Sequence, residues 1–207
     1  MRLQFAMDTL STGTALELAR KAAPHVDILE LGTPLIKSEG LSAITAIKSA
    51  HPDKTVFADL KTMDAGELEA DIAFTAGADL VTVLGVAGDS TISGAITAAQ
   101  NHNKGVVVDL IGVPDKAERA REVVALGAVF VEMHAGLDEQ AEDGYSLETL
   151  LAAGAAAEVP FSVAGGVSAD SIEAVQNSGA QIAVAGSAIY GASDVAAAAA
   201  ALRANIR

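Results

Sequence analysis

Thr55-Val-Phe-Ala-Asp-Leu-Lys-Thr-Met-Asp64 is the stretch from which the rest of the chain is read. Val56, Phe57, Ala58 and Leu60 are apolar enough for a buried strand, yet Asp59 and Lys61 stand inside it. On a strand, residues i and i+2 share a face roughly 6–7 Å apart, so Asp59 and Lys61 project together from the carboxyl end. Asp64 then falls in the loop beyond. Unpaired charges in a core are too costly to keep, so these side chains are either paired or put to use. A salt bridge that plugs a barrel end would satisfy the first requirement. A functional site requires other segments to bring charge to the same place.

They do. Working outward, apolar runs at Leu3–Met7, Val26–Leu31, Val56–Lys61, Leu80–Val86, Gly105–Ile111, Val129–His134, Phe161–Ala164 and Ile182–Ala185 recur about every 25 residues. Amphipathic segments lie between them. Thr12–Ala23 carries Leu16, Ala19 and Ala23 on one face. Leu41, Ile44 and Ile47 mark the next helix. Gly66–Ala76 is stopped by Gly77, and Ile92–His102 follows. A helix opened by Pro114 is lined by Ala117, Ala120, Val124 and Gly127. Leu147–Ala157, Ser168–Asn177 and the Ala-rich Asp194–Ile206 complete the set. Continuous apolar strands belong to parallel sheets covered on both faces. Eight strand–helix units predict a (β/α)₈ TIM barrel formed as a single domain over residues 1–207. An open doubly wound sheet would place a glycine-rich loop after the first strand, and Asp8-Thr-Leu-Ser11 does not supply one.

The 207 residues are half apolar and include no cysteine, which excludes disulfides and thiolate metal sites and fits a cytoplasmic protein. A formal charge of −14 argues against nucleic-acid binding. No apolar run approaches the ~20 residues of a membrane span, and MRLQFAMDTL reads as a first strand rather than a leader.

Barrel active sites gather at the carboxyl ends of the strands. Those ends carry Asp8, Glu30, Asp59 with Lys61, Asp109, His134, Gly165-Gly166 and Gly186-Ser187. Glu30 and Asp59 come from adjacent strands and are hard oxygen donors suited to Mg²⁺, or else a cage for Lys61. Asp8 either accepts a substrate hydroxyl or caps the first helix. Of four histidines only His134 ends a strand, which makes it the candidate acid/base. The glycine turns after strands seven and eight, with Ser187, stand where barrels bind phosphate through backbone N–H groups. Asp109 is grouped with these substrate-binding residues.

Asp59-x-Lys61-x-x-Asp64 resembles the signature of the orotidine 5′-monophosphate decarboxylase superfamily. Asp8, Glu30, His134 and the Gly165-Gly166 and Gly186 turns match its branch of 3-keto-L-gulonate-6-phosphate decarboxylases and 3-hexulose-6-phosphate synthases, over essentially the whole chain. His134-Ala135-Gly136-Leu137-Asp138 lacks the arginine found there in the decarboxylases, so the chain is most similar to the synthase side. Some relatives also have an arginine where Ser187 stands, which leaves more of the phosphate binding to backbone amides. The resemblance implies aldol condensation of the phosphosugar D-ribulose 5-phosphate with formaldehyde through a Mg²⁺-stabilised enediolate, in the ribulose monophosphate pathway. It also implies a homodimer in which Asp64 reaches the partner's site. Within a site, Lys61 would face the oxyanion and be fixed by Asp64. A phosphosugar-binding barrel without catalysis, or a purely structural one, would keep the same fold.

Overall fold

The computed structural model describes residues 1–207. Eight parallel strands close in chain order: β1 (Arg2–Met7), β2 (Ile28–Leu31), β3 (Thr55–Thr62), β4 (Leu80–Leu84), β5 (Gly105–Asp109), β6 (Phe130–His134), β7 (Phe161–Ala164) and β8 (Ile182–Ala185). β8 pairs with β1, Gln4 opposite Val184, so the sheet has no edge and the open-sheet alternative is excluded.

The connections are α1 (Thr12–Ala22), α2 (Thr33–Glu39), α3 (Ser42–Ala50), α4 (Gly66–Thr75), α5 (Asp89–His102), α6 (Lys116–Leu126), α7 (Leu137–Gln140), α8 (Leu147–Ala157), α9 (Ile172–Asn177), α10 (Ser187–Tyr190) and α11 (Val195–Ala204). Their starts follow local chemistry. Ser11 caps α1 by accepting from the Thr14 amide, Asp115 caps α6 from Glu118, and Asp194 caps α11 from Ala197. Pro114 therefore precedes the α6 cap by one residue rather than opening the helix. Ser168–Ser171, expected to be helical, form a turn in which the Ser171 hydroxyl accepts from the Ser168 amide at 2.9 Å. None of the helices is long and apolar enough to cross a membrane.

Two apolar regions sandwich the strands. The larger packs helices onto the outside of the barrel around Leu3, Phe5, Leu29, Ile44 and Val106. The smaller fills the barrel with Ile28, Phe57, Val107, Phe130, Ile182 and their neighbours. Alternate residues of each strand point inward, and layers of such side chains build a barrel core. Here the layers change character with height. Ile28, Leu80, Phe130 and Ile182 form an apolar floor. Gln4 and Ser162 are the first polar groups above it. Glu30, Thr82 and Glu132 follow, then Asp59 and Asp109. Polar residues inside the barrel thus accumulate toward the carboxyl rim.

Candidate active site

At that rim β3 does something a plain strand would not. Its register with β4 shifts between Ala58 and Thr62, and Lys61 takes φ of +47°. A left-handed conformation costs a residue with a Cβ roughly 1–2 kcal/mol. Bulges of this kind recur beside active sites, where they re-aim a side chain. Here the Lys61 amide donates to Thr82 Oγ1 at 2.9 Å, and the Lys61 ammonium reaches Asp59 at 3.1 Å and Asp109 at 2.6 Å. The expected partnership of Asp59 with Lys61 holds, and β5 adds a second carboxylate to it.

Asp109 is fully buried. Its Oδ2 accepts from Lys61 and lies 2.9 Å from His134 Nδ1, while Oδ1 accepts from the Ile111 amide at 2.9 Å. Burial works against its charge. The hydrogen bond from His134 and the charges of His134 and Lys61 overcome that and bring its pKa down to about 2. Burial likewise opposes the Lys61 ammonium, but Asp59, Asp109 and Glu132 hold it well above the ordinary lysine value. Both groups are therefore ions at neutral pH. Asp109, one of the expected substrate-binding residues, has Lys61, His134 and a backbone amide as its partners within the chain.

Asp59 is also held from several sides. It accepts from Thr33 Oγ1 at 2.6 Å, from Thr82 Oγ1 at 2.8 Å, and from Lys61. Glu30 has fewer donors. Gln4 Nε2 donates to Glu30 Oε2 at 2.7 Å, and burial followed by the nearby Asp59 charge pushes its pKa up to about 8. Gln4 Oε1 is buried with no partner. Asp8 lies above them. It is not the cap of α1, because Ser11 fills that role. Its carboxylate packs so closely on Gly32 that a Cβ there would come within 2.1 Å of Asp8 Oδ1. Burial and then Asp59 raise its pKa also.

Glu132 was not anticipated. It is 2% exposed, faces inward two residues before His134, and has Ser162 Oγ at 3.4 Å as its nearest donor. Burial and then Asp109 hold its pKa well above the usual carboxylate range. Asp109, Glu132 and His134 bring ligating atoms within 4.8 Å of one another, a geometry able to hold a metal ion. The Lys61 ammonium already occupies Asp109 Oδ2, so a cation placed there would oppose it. Glu30 and Asp59 lie outside that group.

Asp64 behaves differently from the others. It is exposed, accepts from the neighbouring Ala65 amide at 2.8 Å, and does not touch Lys61 of its own chain. The phosphate-type turns are formed as the glycines suggest. Gly165 and Gly166 have φ of +126° and +71°, and a Cβ on Gly165 would come within 2.9 Å of the Ala135 carbonyl. Gly186 precedes the single turn α10, which begins at Ser187.

Eight parallel strands with acid, lysine and histidine converging on one mouth can be compared with known proteins. The sequence pattern of the orotidine 5'-phosphate decarboxylase / HUMPS family matches residues 1–202. The chain belongs to that family. The 3-hexulose-6-phosphate synthase of Mycobacterium gastri is 73% identical over 206 residues, which covers 100% of both chains. The crystal structure of a 3-hexulose-6-phosphate synthase, also 73% identical, superposes with a TM-score of 0.99 over 100% of both chains. A 3-keto-L-gulonate-6-phosphate decarboxylase from Vibrio cholerae is more distant, at 29% identity and a TM-score of 0.84, covering 99% of this chain and 96% of its own. Family membership fixes the fold, and the synthases, at 73% identity, stand far nearer than the decarboxylase, at 29%.

Proposed function

We propose that this barrel condenses D-ribulose 5-phosphate with formaldehyde to give D-arabino-3-hexulose 6-phosphate, as an aldehyde-lyase of formaldehyde fixation working in the cytoplasm. The observation that carries this reading is full-length identity of 73% to a synthase against 29% to a decarboxylase. The segment His134-Ala135-Gly136-Leu137-Asp138 holds no arginine, the residue that the decarboxylases carry shortly after this histidine, which supports the same choice. All 207 residues are taken as one barrel domain.

His134 is the base. Anionic Asp109 accepts from Nδ1, which fixes the tautomer and leaves the Nε2 lone pair to take a proton from C1 of the substrate. As the C1–H bond breaks, charge develops on the C2 oxygen. The Lys61 ammonium, kept charged by Asp59 and Asp109, is the fixed positive group for it. C1 then forms its bond to the formaldehyde carbon, and the proton held by His134 goes to the formaldehyde oxygen. Every atom of both substrates ends in the product. Asp8 accepts a substrate hydroxyl at the mouth. Amides of Gly165, Gly166, Gly186 and Ser187 bind the phosphate.

The donor set fits a divalent cation. Five carboxylates (Asp8, Glu30, Asp59, Asp109 and Glu132) face one ammonium, and Glu30 receives only one hydrogen bond. Glu30 and Asp59 are the residues that would hold Mg²⁺. Bound there, the ion supplies Lewis acidity toward substrate oxygens.

The surface beside Asp64 supports assembly as a homodimer. Met63, Leu68, Ile72 and Val86 are exposed apolar side chains around the β3–α4 and β4–α5 connections. A second copy would cover them and bring its Asp64 to this chain's Lys61. The deciding experiment measures formaldehyde consumption with ribulose 5-phosphate, with and without Mg²⁺ and with excess chelator. Full activity in chelator would overturn the metal assignment. Release of CO₂ from a 3-keto-hexonate 6-phosphate, without formaldehyde uptake, would replace condensation by decarboxylation.

A further inference from the structure

The segment from β6 to α8 holds two side chains that the mechanism does not use. Gln140, the last residue of α7, turns back over the strand end and donates from Nε2 to the Ala135 carbonyl at 2.8 Å. Its Oε1 lies 3.8 Å from the point where a Cβ on Gly166 would sit. Tyr145, five residues on, donates its hydroxyl to the Gly165 carbonyl at 2.9 Å, and that hydroxyl lies 3.2 Å from the Cβ position of Gly165. Ala135 is itself the contact between the two strands, since its amide donates to Ala164 and its carbonyl crowds Gly165. Tyr145 thus holds the carbonyl inside the Gly165-Gly166 turn, and Gln140 holds the Ala135 carbonyl against which Gly165 packs.

We propose that Gln140 and Tyr145 are positioning residues that set the shape of this turn, and with it the affinity for the substrate's phosphate. The inference rests on the phosphate-binding role given above to Gly165 and Gly166. Both glycines have positive φ, which glycine adopts without steric penalty, so the Gly166 amide, which shares a peptide plane with the Gly165 carbonyl, takes its direction from the Tyr145 hydroxyl that holds that carbonyl, and Gln140 fixes the Ala135 carbonyl packed on Gly165. Anion binding by backbone amides is strong only when the amides already point inward. Burial holds the Tyr145 phenol above its ordinary pKa, so it stays a donor at neutral pH. Gln140 also places an uncharged carbonyl, rather than a carboxylate, beside the turn.

The test compares Gln140→Glu and Tyr145→Phe with the wild type on ribulose 5-phosphate and on unphosphorylated ribulose. Gln140→Glu removes the donor and sets a negative charge beside the phosphate. It is expected to raise KM for the phosphosugar about tenfold or more while kcat moves little, from one lost hydrogen bond plus a like charge. Tyr145→Phe keeps the ring and is expected to raise KM about two- to threefold, the low end for one hydrogen bond. Turnover of free ribulose should change in neither. Binding of inorganic phosphate, followed by amide NMR shifts at Gly165, Gly166 and Gly186, should weaken in the same order. Unchanged KM and phosphate binding in both variants would overturn the inference, and so would equal losses on ribulose and ribulose 5-phosphate. A wild type that binds phosphate but condenses nothing would overturn the proposed reaction alone, and weaker phosphate binding in Gln140→Glu would then still uphold the positioning role.

Discussion

The two ends of this barrel treat their carboxylates in opposite ways. At the amino end, Asp79 accepts from the Val56 amide at 2.9 Å, from Lys48 at 2.8 Å and from Lys104. Asp27 accepts from the Leu3 amide and from Arg203, each at 2.8 Å. Each of these acids has an amide and at least one cation of its own, and they tie strands to helices across the closed floor. Burial alone would raise the pKa of Asp79, yet hydrogen bonds from Lys104, Lys48 and Val56 leave it lowered. At the carboxyl end Glu30, Glu132 and Asp8 crowd around Asp59 and Asp109 with Lys61 as the ammonium, and their pKa values are raised. Acids that lower their pKa on folding stabilise the fold, whereas acids that raise it work against the fold. The amino-end acids therefore stabilise the barrel, whereas at the carboxyl rim Asp109 is lowered, against burial, by His134 and Lys61, and Glu30, Glu132 and Asp8 work against the fold.

The sharpest way to test that division is to remove one group from the carboxyl rim. His134→Ala should lower condensation about 10²-fold or more, the scale for a lost general base. Without formaldehyde, Mg²⁺-dependent exchange of the C1 proton of ribulose 5-phosphate into heavy water should fall in parallel. Exchange at the wild-type rate in His134→Ala would show that another group is the base.

A second test asks whether the carboxyl rim is complete within one chain. Asp64 touches only its neighbouring amide here, so Asp64→Ala and Lys61→Ala should each be inactive in pure form. In a dimer with shared sites, equal mixing makes half the dimers mixed, each with one intact site, so roughly a quarter of wild-type activity should return. If subunit exchange is verified and no activity returns, Asp64 does not serve a partner.

Much of this asymmetry was legible in the sequence, because charge inside an apolar strand is conspicuous. Asp59, Lys61, Asp109 and His134 each interrupt or end such a run, and the structure joins all four. Glu132 escaped notice because it stands in mid-run, in VFVEMH. The alternation that paired Asp59 with Lys61 also places Glu132 on the inward face with His134, so the signal was present. Gln4 is a similar case on β1. Other features left a weaker trace or none. α2, α7 and α10 are seven, four and four residues long, too short to show helical periodicity, and only Pro34 in the first turn of α2 marked a start. The bulge that aims Lys61 at Asp109 depends on Thr82 of the next strand, so no local pattern in β3 announces it.

Stability should separate the two rims in the opposite sense from activity. Asp79→Ala leaves two lysines and an amide without their acceptor, and should cost about 2 kcal/mol, since hydrogen bonds to a charged group contribute about 1.5–3 each and this one is partly solvated. In a chain of this size that is a fall of roughly 4–8 °C in melting temperature. Its kcat should be unchanged. Glu132→Gln replaces a buried acid that lacks a close donor with a neutral isostere, and should leave the protein at least as stable as the wild type. A large loss of stability in Glu132→Gln, or none in Asp79→Ala, would break the division of labour.

The smallest effect lies in the acid limb of stability, and its sign follows from Asp79 alone. Its pKa in the folded protein is below the ordinary value of 3.8. Above the ordinary value the carboxylate is ionised in both folded and unfolded chains, and its contribution is complete. As pH falls below that value, the unfolded chain takes up the proton first. The contribution then shrinks until the folded-state pKa is passed, where it is gone. Asp79→Asn cannot titrate, so its deficit relative to wild type should be constant at neutral pH and narrow as pH drops through the carboxylate range. Urea midpoints measured for both proteins at a series of pH values would follow this directly. A deficit that widens toward acid would mean that the lysines, rather than Asp79, set the stability of the floor.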